Sequence, residues 1–274
     1  LDNNIYKFTL FLAENRKSGK TIDSYIRDIN QFNEYIKVKK KKLNKINNSD
    51  IDEYKNHLIY DRGLKIKTIN RKLVSINQFL KFNNIAVDIR QEKVQMQNFL
   101  DDILSNEDVK ALVNATYKKD DLRARAIIYT LYYTGMRVSE MLQLTIYDTK
   151  KQSITILGKG SKHREVFVPN KLKDIWEAYM NVRIKKGTAL FTGKRGPINR
   201  KTVDSLIKEY AALAGVNKSK AHAHNFRHLY CKNLADKGID ISTIADIAGH
   251  QNINTTRIYT RKTKEELLDI IDNM

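Results

Sequence analysis

The sequence predicts a mainly α-helical protein in two units. A four-helix unit spans residues 1–88, a polar linker spans 89–100, and a larger, mostly helical unit with a small β-hairpin spans 101–274. Three observations predict this. Apolar residues recur at helical spacing along most of the chain. Only two prolines, Pro169 and Pro197, are present to obstruct long helices. One pair of short runs, SITIL and REVFVP, has β-character, and the glycine-containing GKGSKH joins them as a hairpin turn.

In the first unit, residues 3–15 carry a stripe of Ile5, Phe8 and Leu12 that Ser18 and Gly19 interrupt. Thr21 is placed to cap a second helix, which puts Ile22, Tyr25, Ile26, Ile29, Phe32 and Ile36 on one face. The lysine cluster KVKKKKLNK follows; it reads as a solvated loop or as a non-specific contact for phosphate backbone. Ser49 opens a third helix with Ile51, Tyr54 and Leu58, closed near Gly63 by a glycine cap. Thr68 opens a fourth, with Ile69, Leu73, Ile76 and Leu80 inward. Asn70, Arg71 and Lys72 crowd its first turn. Cations there oppose the helix dipole, which suggests an external anion beside the alternative of a solvated face. With 18 Lys and Arg against 10 Asp and Glu, the unit is basic.

The second unit begins at a capping-box pattern, Ser105 with Asp108 three residues on. LRARAIIYTLYYTGMRVSEMLQL gives an apolar helix, a break at Gly135, and a second helix with Arg137, Val138, Glu140 and Met141. After the hairpin, a helix carries Trp176 and Tyr179 as core, and another starts at a possible Asn199 cap with Arg200 and Lys201 in its first turn. The last third is helical: HNFRHLYCKNLADKG, ISTIADIAGH, a short TTRIYT, and KTKEELLDIIDNM, whose Leu267, Leu268, Ile270 and Ile271 can pack on the same domain or on a neighbour.

The chain has 274 residues, 41% of them hydrophobic and 30% charged, enough for a real core and against global disorder. Its net charge of +19 makes nucleic acid the first candidate partner, through counterion release. The rival, an anionic membrane, finds no run of 18 apolar residues and no signal peptide at LDNNIYKF. The single cysteine, Cys231, allows no internal disulfide, fits a reducing cytoplasmic setting, and reads as a packed small residue.

Chemistry concentrates between Ala221 and Tyr259. His224 and Arg227 lie one helical turn apart, Gly249 and His250 follow, and Tyr259 comes nine residues after His250. With Arg137 and Lys159 from earlier, these six make a cationic pocket with a hydroxyl beside it. A phosphodiester under attack gathers charge on its non-bridging oxygens, which two guanidiniums suit. Tyrosine, with a pKa of about 10, needs its proton removed or its anion stabilised. Lys159, on a hairpin, can protonate the leaving 5′-oxygen. The arginines supply the charge, so no metal or other cofactor is expected. His224 and His228 mimic a zinc pair at i, i+4, but the intervening Glu of a metalloprotease is missing. His222 reads as surface or backbone-capping.

Taken together, these motifs resemble the tyrosine recombinases, the phage-integrase family that includes Xer-type and transposon-encoded resolvases. TGMRVSEMLQL resembles the box of the first catalytic arginine, and GKGSKHREVFVP the β-hairpin lysine segment. HNFRH matches the His-x-x-Arg-His box, and IADIAGHQNINTTRIYT the closing box with the nucleophile. Order and spacing hold over residues 105–262; Ala248 and Met141 stand where Leu is common. The resemblance implies that Arg137 and Arg227 clamp the scissile phosphate and Lys159 protonates the leaving group. His224 would assist proton transfer, His250 hydrogen-bond a phosphate oxygen, Glu140 steady the pocket, and Tyr259 form a 3′-phosphotyrosyl bond. It also implies a C-shaped DNA clamp with a SAM-like core-binding domain and no need of ATP. Strands would be exchanged through a Holliday junction in a homotetramer on two sites, with the C-terminal helix docked into a neighbour and accessory DNA-binding proteins as possible partners. Helices like those at Thr21 and Thr68 would enter the major groove. Thr21, Thr68, Asn70, Arg71, Lys72, Lys162, Arg164, Arg200 and Lys201 are thus the candidates for contacts with double-stranded DNA. The sequence opens in the first helix of the four-helix unit without an evident arm-binding domain, so a simple Xer-like or transposon resolvase is expected.

Three rivals stay open on sequence. A type IB topoisomerase uses the same chemistry as a monomer. A catalytically idle architectural DNA-binding protein would need no Tyr259. A basic RNA-binding module explains the charge and none of the boxes.

Overall fold

A computed structural model describes residues 2–93, 103–158, 163–249, 254–260 and 264–273. The chain divides into two compact units, Leu1–Met96 and Gln97–Met274. It is mainly helical, and no helix among the described residues is long and apolar enough to cross a membrane.

The first unit contains α1 (Asp2–Glu14), α2 (Gly19–Val38), α3 (Asn48–Asn56), which runs into a π-helical turn at His57–Asp61, and α4 (Ile66–Phe82). The caps of α2, α3 and α4 lie two or three residues earlier than the sequence suggests. Ser18, not Thr21, caps α2: its hydroxyl accepts the Thr21 N–H at 3.3 Å. Asn47, not Ser49, caps α3 through a reciprocal box with Asp50. Lys65, without a side-chain cap, precedes α4, so Thr68 lies inside the first turn. Phe32, Ile36, Ile51, Tyr54, Leu58, Ile69, Leu73, Ile76 and Leu80 form the core, and Phe8, Leu12, Ile29 and Phe79 a second cluster.

Two expectations are corrected here. The anion faced by Arg71 and Lys72 is internal. Asp28 of α2, 1% exposed, accepts from both Arg71 guanidinium nitrogens at 2.6 and 3.0 Å, from Lys72 Nζ at 3.0 Å and from Ser75 Oγ at 3.0 Å. Lys72 is itself buried, so its position is not open to DNA; Arg71 shares the one Asp28 carboxylate with it and keeps an exposed edge. The Asn70 amide is likewise engaged, exchanging hydrogen bonds with the Glu92 backbone. The chain also stays on this unit beyond residue 88. Ile85, Val87 and Ile89 alternate inward against the core, and Lys55 pairs with Glu92 at 2.7 Å.

The second unit contains α5 (Asn106–Lys118), α6 (Leu122–Thr134), α7 (Val138–Met141), β1 (Ser153–Leu157), β2 (His163–Phe167), α8 (Asn170–Val182), β3 (Thr192–Gly193), β4 (Gly196–Pro197), α9 (Arg200–Ala214), α10 (Ala223–Asp236), α11 (Ile241–Ala248), α12 (Asn254–Arg257) and α13 (Lys264–Asp272). The Ser105–Asp108 capping box and the Asn199 cap are formed. β1 and β2 pair antiparallel from Ser153↔Phe167 to Leu157↔His163. β3 and β4 form a two-residue ladder that no apolar pattern announces. One core joins Leu112, Ile127, Leu131, Trp176, Tyr179, Phe191, Ile207, Tyr210 and Phe226. Trp176 lies inside it with its indole N–H donated to Thr130 Oγ1 at 2.8 Å. A smaller cluster, Cys231, Ile244, Ala248 and Tyr259, ties α10 and α11 to the segment after α12.

Candidate active site

The site is built on two glycine corners. Gly135 ends α6 in the left-handed region, φ +56°, and a Cβ there would stand 2.4 Å from Cδ1 of the Tyr230 ring. Only glycine satisfies both demands. The corner delivers Arg137 to the position just before α7. Gly249 ends α11 at φ +66°, where a Cβ would stand 2.5 Å from Cδ of Arg164. The first corner's carbonyl serves the site directly: Gly135 O accepts from Arg227 Nη1 at 3.0 Å. The other Arg227 terminal nitrogen donates to the Ala248 carbonyl. Arg227 is thereby fixed between the ends of α6 and α11, 1% exposed, with its Nε buried and unbonded among the described residues.

Arg137 is held by Glu140. The carboxylate accepts the Arg137 backbone N–H at 2.8 Å and its guanidinium at 2.7 Å. Glu140 is 1% exposed. Burial alone would push its carboxyl up; the hydrogen bond and charge of Arg164, then the backbone and side-chain hydrogen bonds of Arg137, outweigh burial and hold it below the usual carboxylate range.

Arg137, Arg227 and His224 line one cavity of about 710 Å³, together with Arg200, Lys201, His222 and Asp204. Four guanidinium and ammonium groups against one carboxylate make it an anion site. Burial lowers the Arg227 pKa to about 10, and neighbouring Arg137 adds to the effect. His224 keeps an edge open to solvent. Loss of water from the rest of the ring, and then the Arg227 charge, hold its pKa below the ordinary histidine value, so it is a neutral imidazole at pH 7.

Tyr259 is 2% exposed and is not among the residues lining the cavity. Its ring lies 5.2 Å from that of His228 and packs with Cys231, Ile244 and Ala248. Burial, then the neighbouring Cys231, push its phenol pKa up. The charges of Arg227 and Arg137 act on the same phenol in the opposite sense, so the hydroxyl lies within the field of the anion clamp. Lys159, Lys162 and His250 lie outside the described residues.

Three placements differ from the sequence reading. Arg164, expected at DNA, has a side chain only 9% exposed and bonded to Glu140 and to the Ile247 carbonyl. His222, read as surface or backbone-capping, forms part of the cavity wall; it precedes α10 in extended geometry without a side-chain cap. Asp204 was missed altogether, and its signal was the one-turn offset from Arg200. Thr21 and Thr68 are half-buried in the first turns of α2 and α4. His224 and His228 do touch, rings 4.4 Å apart, but among the described residues no three His, Cys, Asp or Glu gather as a metal site would need.

Comparison with known proteins gives a consistent result. A profile described as the phage integrase family matches residues 102–266, and one described as the phage integrase N-terminal SAM-like domain matches residues 5–84. The tyrosine recombinase XerA of Pyrococcus furiosus is 33% identical over 77% of this chain and 75% of its own length. The tyrosine recombinase XerD of Oceanobacillus iheyensis is 31% identical over 96% of this chain and 94% of its own. Among solved structures, the XerH site-specific recombinase bound to difH substrate in a pre-cleavage complex superposes with a TM-score of 0.72 at 25% identity, covering 91% of this chain and 78% of that one.

Proposed function

Since the chain belongs to the phage integrase family, we propose a division of labour among its own residues for the family's reaction. The protein is a tyrosine recombinase, a site-specific DNA strand transferase. Arg137 and Arg227 grip the non-bridging oxygens of the scissile phosphate, and His250 donates to one of them. Neutral His224 takes the Tyr259 proton as the phenolic oxygen attacks phosphorus. The Tyr259 O–P bond forms, the P–O5′ bond breaks, and Lys159 gives its proton to the leaving 5′-oxygen. The 3′-phosphotyrosyl bond conserves the phosphodiester energy, and the 5′-hydroxyl of a partner strand reverses the attack. Tyr259 packs beside Cys231, and the charges of Arg227 and Arg137 bear on its phenol in the sense that favours the phenolate.

The observation that carries this reading is the single cavity shared by Arg137, from the corner before α7, and by His224 and Arg227, from α10. Arg200 and Lys201, exposed at its edge, hold the flanking backbone. The first unit, Leu1–Met96, acts as the core-binding domain on double-stranded DNA, and the second, Gln97–Met274, as the catalytic domain. The active form is a homotetramer on two sites, in which α13 of each subunit docks into the next, with accessory DNA-binding proteins setting the direction. The cytoplasm, where such DNA is accessible, is its place of action.

Covalent trapping tests the proposal. On a nicked suicide duplex bearing its site, in EDTA, the wild-type protein is expected to give a DNA-linked band on a denaturing gel, and Tyr259→Phe none. Tight, specific binding by the wild type without a band would replace catalysis with an architectural role.

A further inference from the structure

Arg164 is where three pieces of the catalytic unit meet. It stands on β2 opposite Ile156. Its Nη2 donates to Glu140 Oε2 at 2.8 Å and its Nη1 to the Ile247 carbonyl at 2.6 Å. Its Cδ fills the space that only a glycine at 249 leaves open. Glu140 spends its other oxygen on Arg137 Nη1 at 2.7 Å. One buried carboxylate thus joins an arginine of the cavity to an arginine of the hairpin. A guanidinium committed in this way has its side chain buried and its terminal nitrogens bonded, unlike one that waits for a phosphate.

We infer that Arg164 is a positioning residue: held in place by the Ile247 carbonyl, it sets through Glu140 the seat of Arg137 in the phosphate clamp. Removing one partner of a buried pair leaves the other charge uncompensated. Glu140 without Arg164 either protonates or draws Arg137 wholly to itself, and both displace the clamp. The charged groups facing Glu140 among the described residues are Arg137 before α7, Arg164 on β2 and, further off, Arg227 on α10. Loss of Arg164 lets the carboxyl pKa rise, so the acid limb of cleavage moves to higher pH.

The inference rests on the reading that Arg137 clamps the phosphate, and that reading has its own control: Arg137→Ala cleaving as well as wild type would sink the clamp whatever Arg164 does. Arg164 itself is tested by a double-mutant cycle with Glu140, using single-turnover cleavage of the suicide duplex and fluorescence anisotropy for affinity. Arg164→Gln is expected to slow cleavage about 100-fold, the scale of a clamp misplaced by an ångström. DNA affinity should stay within about twofold, since no phosphate contact is lost. The acid limb should move up, and Arg164→Lys should restore part of the rate. Added to Glu140→Gln, Arg164→Gln should cost nothing more. Multiplicative losses in the double variant, an unmoved acid limb, or affinity falling in step with cleavage would each overturn the inference. Should Arg164→Gln fail to fold alone, the double variant, uncharged at position 140, is compared with Glu140→Gln: equal rates support the inference, a further loss overturns it.

Discussion

Arg227 is buried to 1% exposure, and the oxygens that receive its guanidinium are the carbonyls of Gly135 and Ala248. Carbonyl dipoles orient a cation without cancelling it, so the charge remains available to an anion in the cavity and is costly while the cavity holds none. Asp28 is the opposite case, a buried carboxylate with Arg71 and Lys72 both committed to it. Burial pushes the Asp28 carboxyl up, but the hydrogen bonds from Arg71 and Lys72 outweigh that and leave its pKa below the ordinary aspartate value. A carboxyl with a lower pKa folded than unfolded stabilises the fold above the unfolded pKa, and the contribution vanishes as pH falls through the folded one. Asp28→Asn should therefore lower stability at pH 7 by about 3 kcal/mol, with two cations left short of a partner. It should also lose less on acidification below about pH 4 than the wild type does. Urea melts at both pH values check this; equal acid sensitivity in the two proteins would count against the network. The sequence showed these cations at a helix start and their conflict with the dipole. It could not show Asp28, which is 43 residues from Arg71 and becomes its neighbour only when α2 packs on α4. Arg137, Glu140, His224 and Arg227 were legible because their spacing within a turn of helix makes them neighbours before any folding.

The hairpin of β1 and β2 was legible as an element because its pattern is local. Ile154, Ile156 and Val166 alternate inward with exposed neighbours, and the glycine-containing turn leaves one pairing register. Helix starts were less legible, since Ser18 and Thr21, or Asn47 and Ser49, are both acceptable caps; the hydrogen-bond geometry that selects one belongs to the folded chain. The β3–β4 ladder left no trace because two residues carry no period. Lys159 falls in the sequence between these strands, the second of which Arg164 anchors to Glu140, and its proposed role is that of general acid. A general acid matters only to a leaving group that needs a proton. Lys159→Ala should slow cleavage of ordinary DNA about 100-fold or more while binding it normally. DNA with a 5′-bridging sulfur, whose thiolate leaves unaided, should restore the rate. Equal slowing on both substrates would remove Lys159 from this role and return the hairpin to a structural one.

At the scale of the whole molecule, assembly and charge are the two properties a single chain leaves open. Lys232, buried on α10, pairs with Glu266 of α13 at 2.6 Å, which holds the base of that helix to its own subunit. Leu268, Ile270 and Ile271 beyond it are 50%, 49% and 63% exposed, an apolar face for a neighbour to cover. Ending the chain after Lys262 should preserve DNA binding and weaken the tetramer, read by sedimentation on DNA; undiminished tetramer and recombination would dismiss the exchange of α13. The net charge of +19 bears on DNA affinity only through cations that replace counterions on phosphate. Total charge does not say which these are, but the structure sorts them. Lys72 and Arg164 are buried against Asp28 and Glu140, whereas Arg200 and Lys201 are exposed at the cavity. Each phosphate contact contributes about −0.9 to the slope of log affinity against log salt on duplex DNA. Arg200→Ala and Lys201→Ala should each flatten that slope by about one unit. Arg164→Gln and Lys72→Met, which remove the same formal charge, should leave it unchanged, because their buried side chains are not presented to a phosphate. A slope that tracked net charge alone, flattening equally in all four variants, would mean that the buried cations are released to the phosphates on binding, and the internal pairs would then be a resting state of the DNA surface.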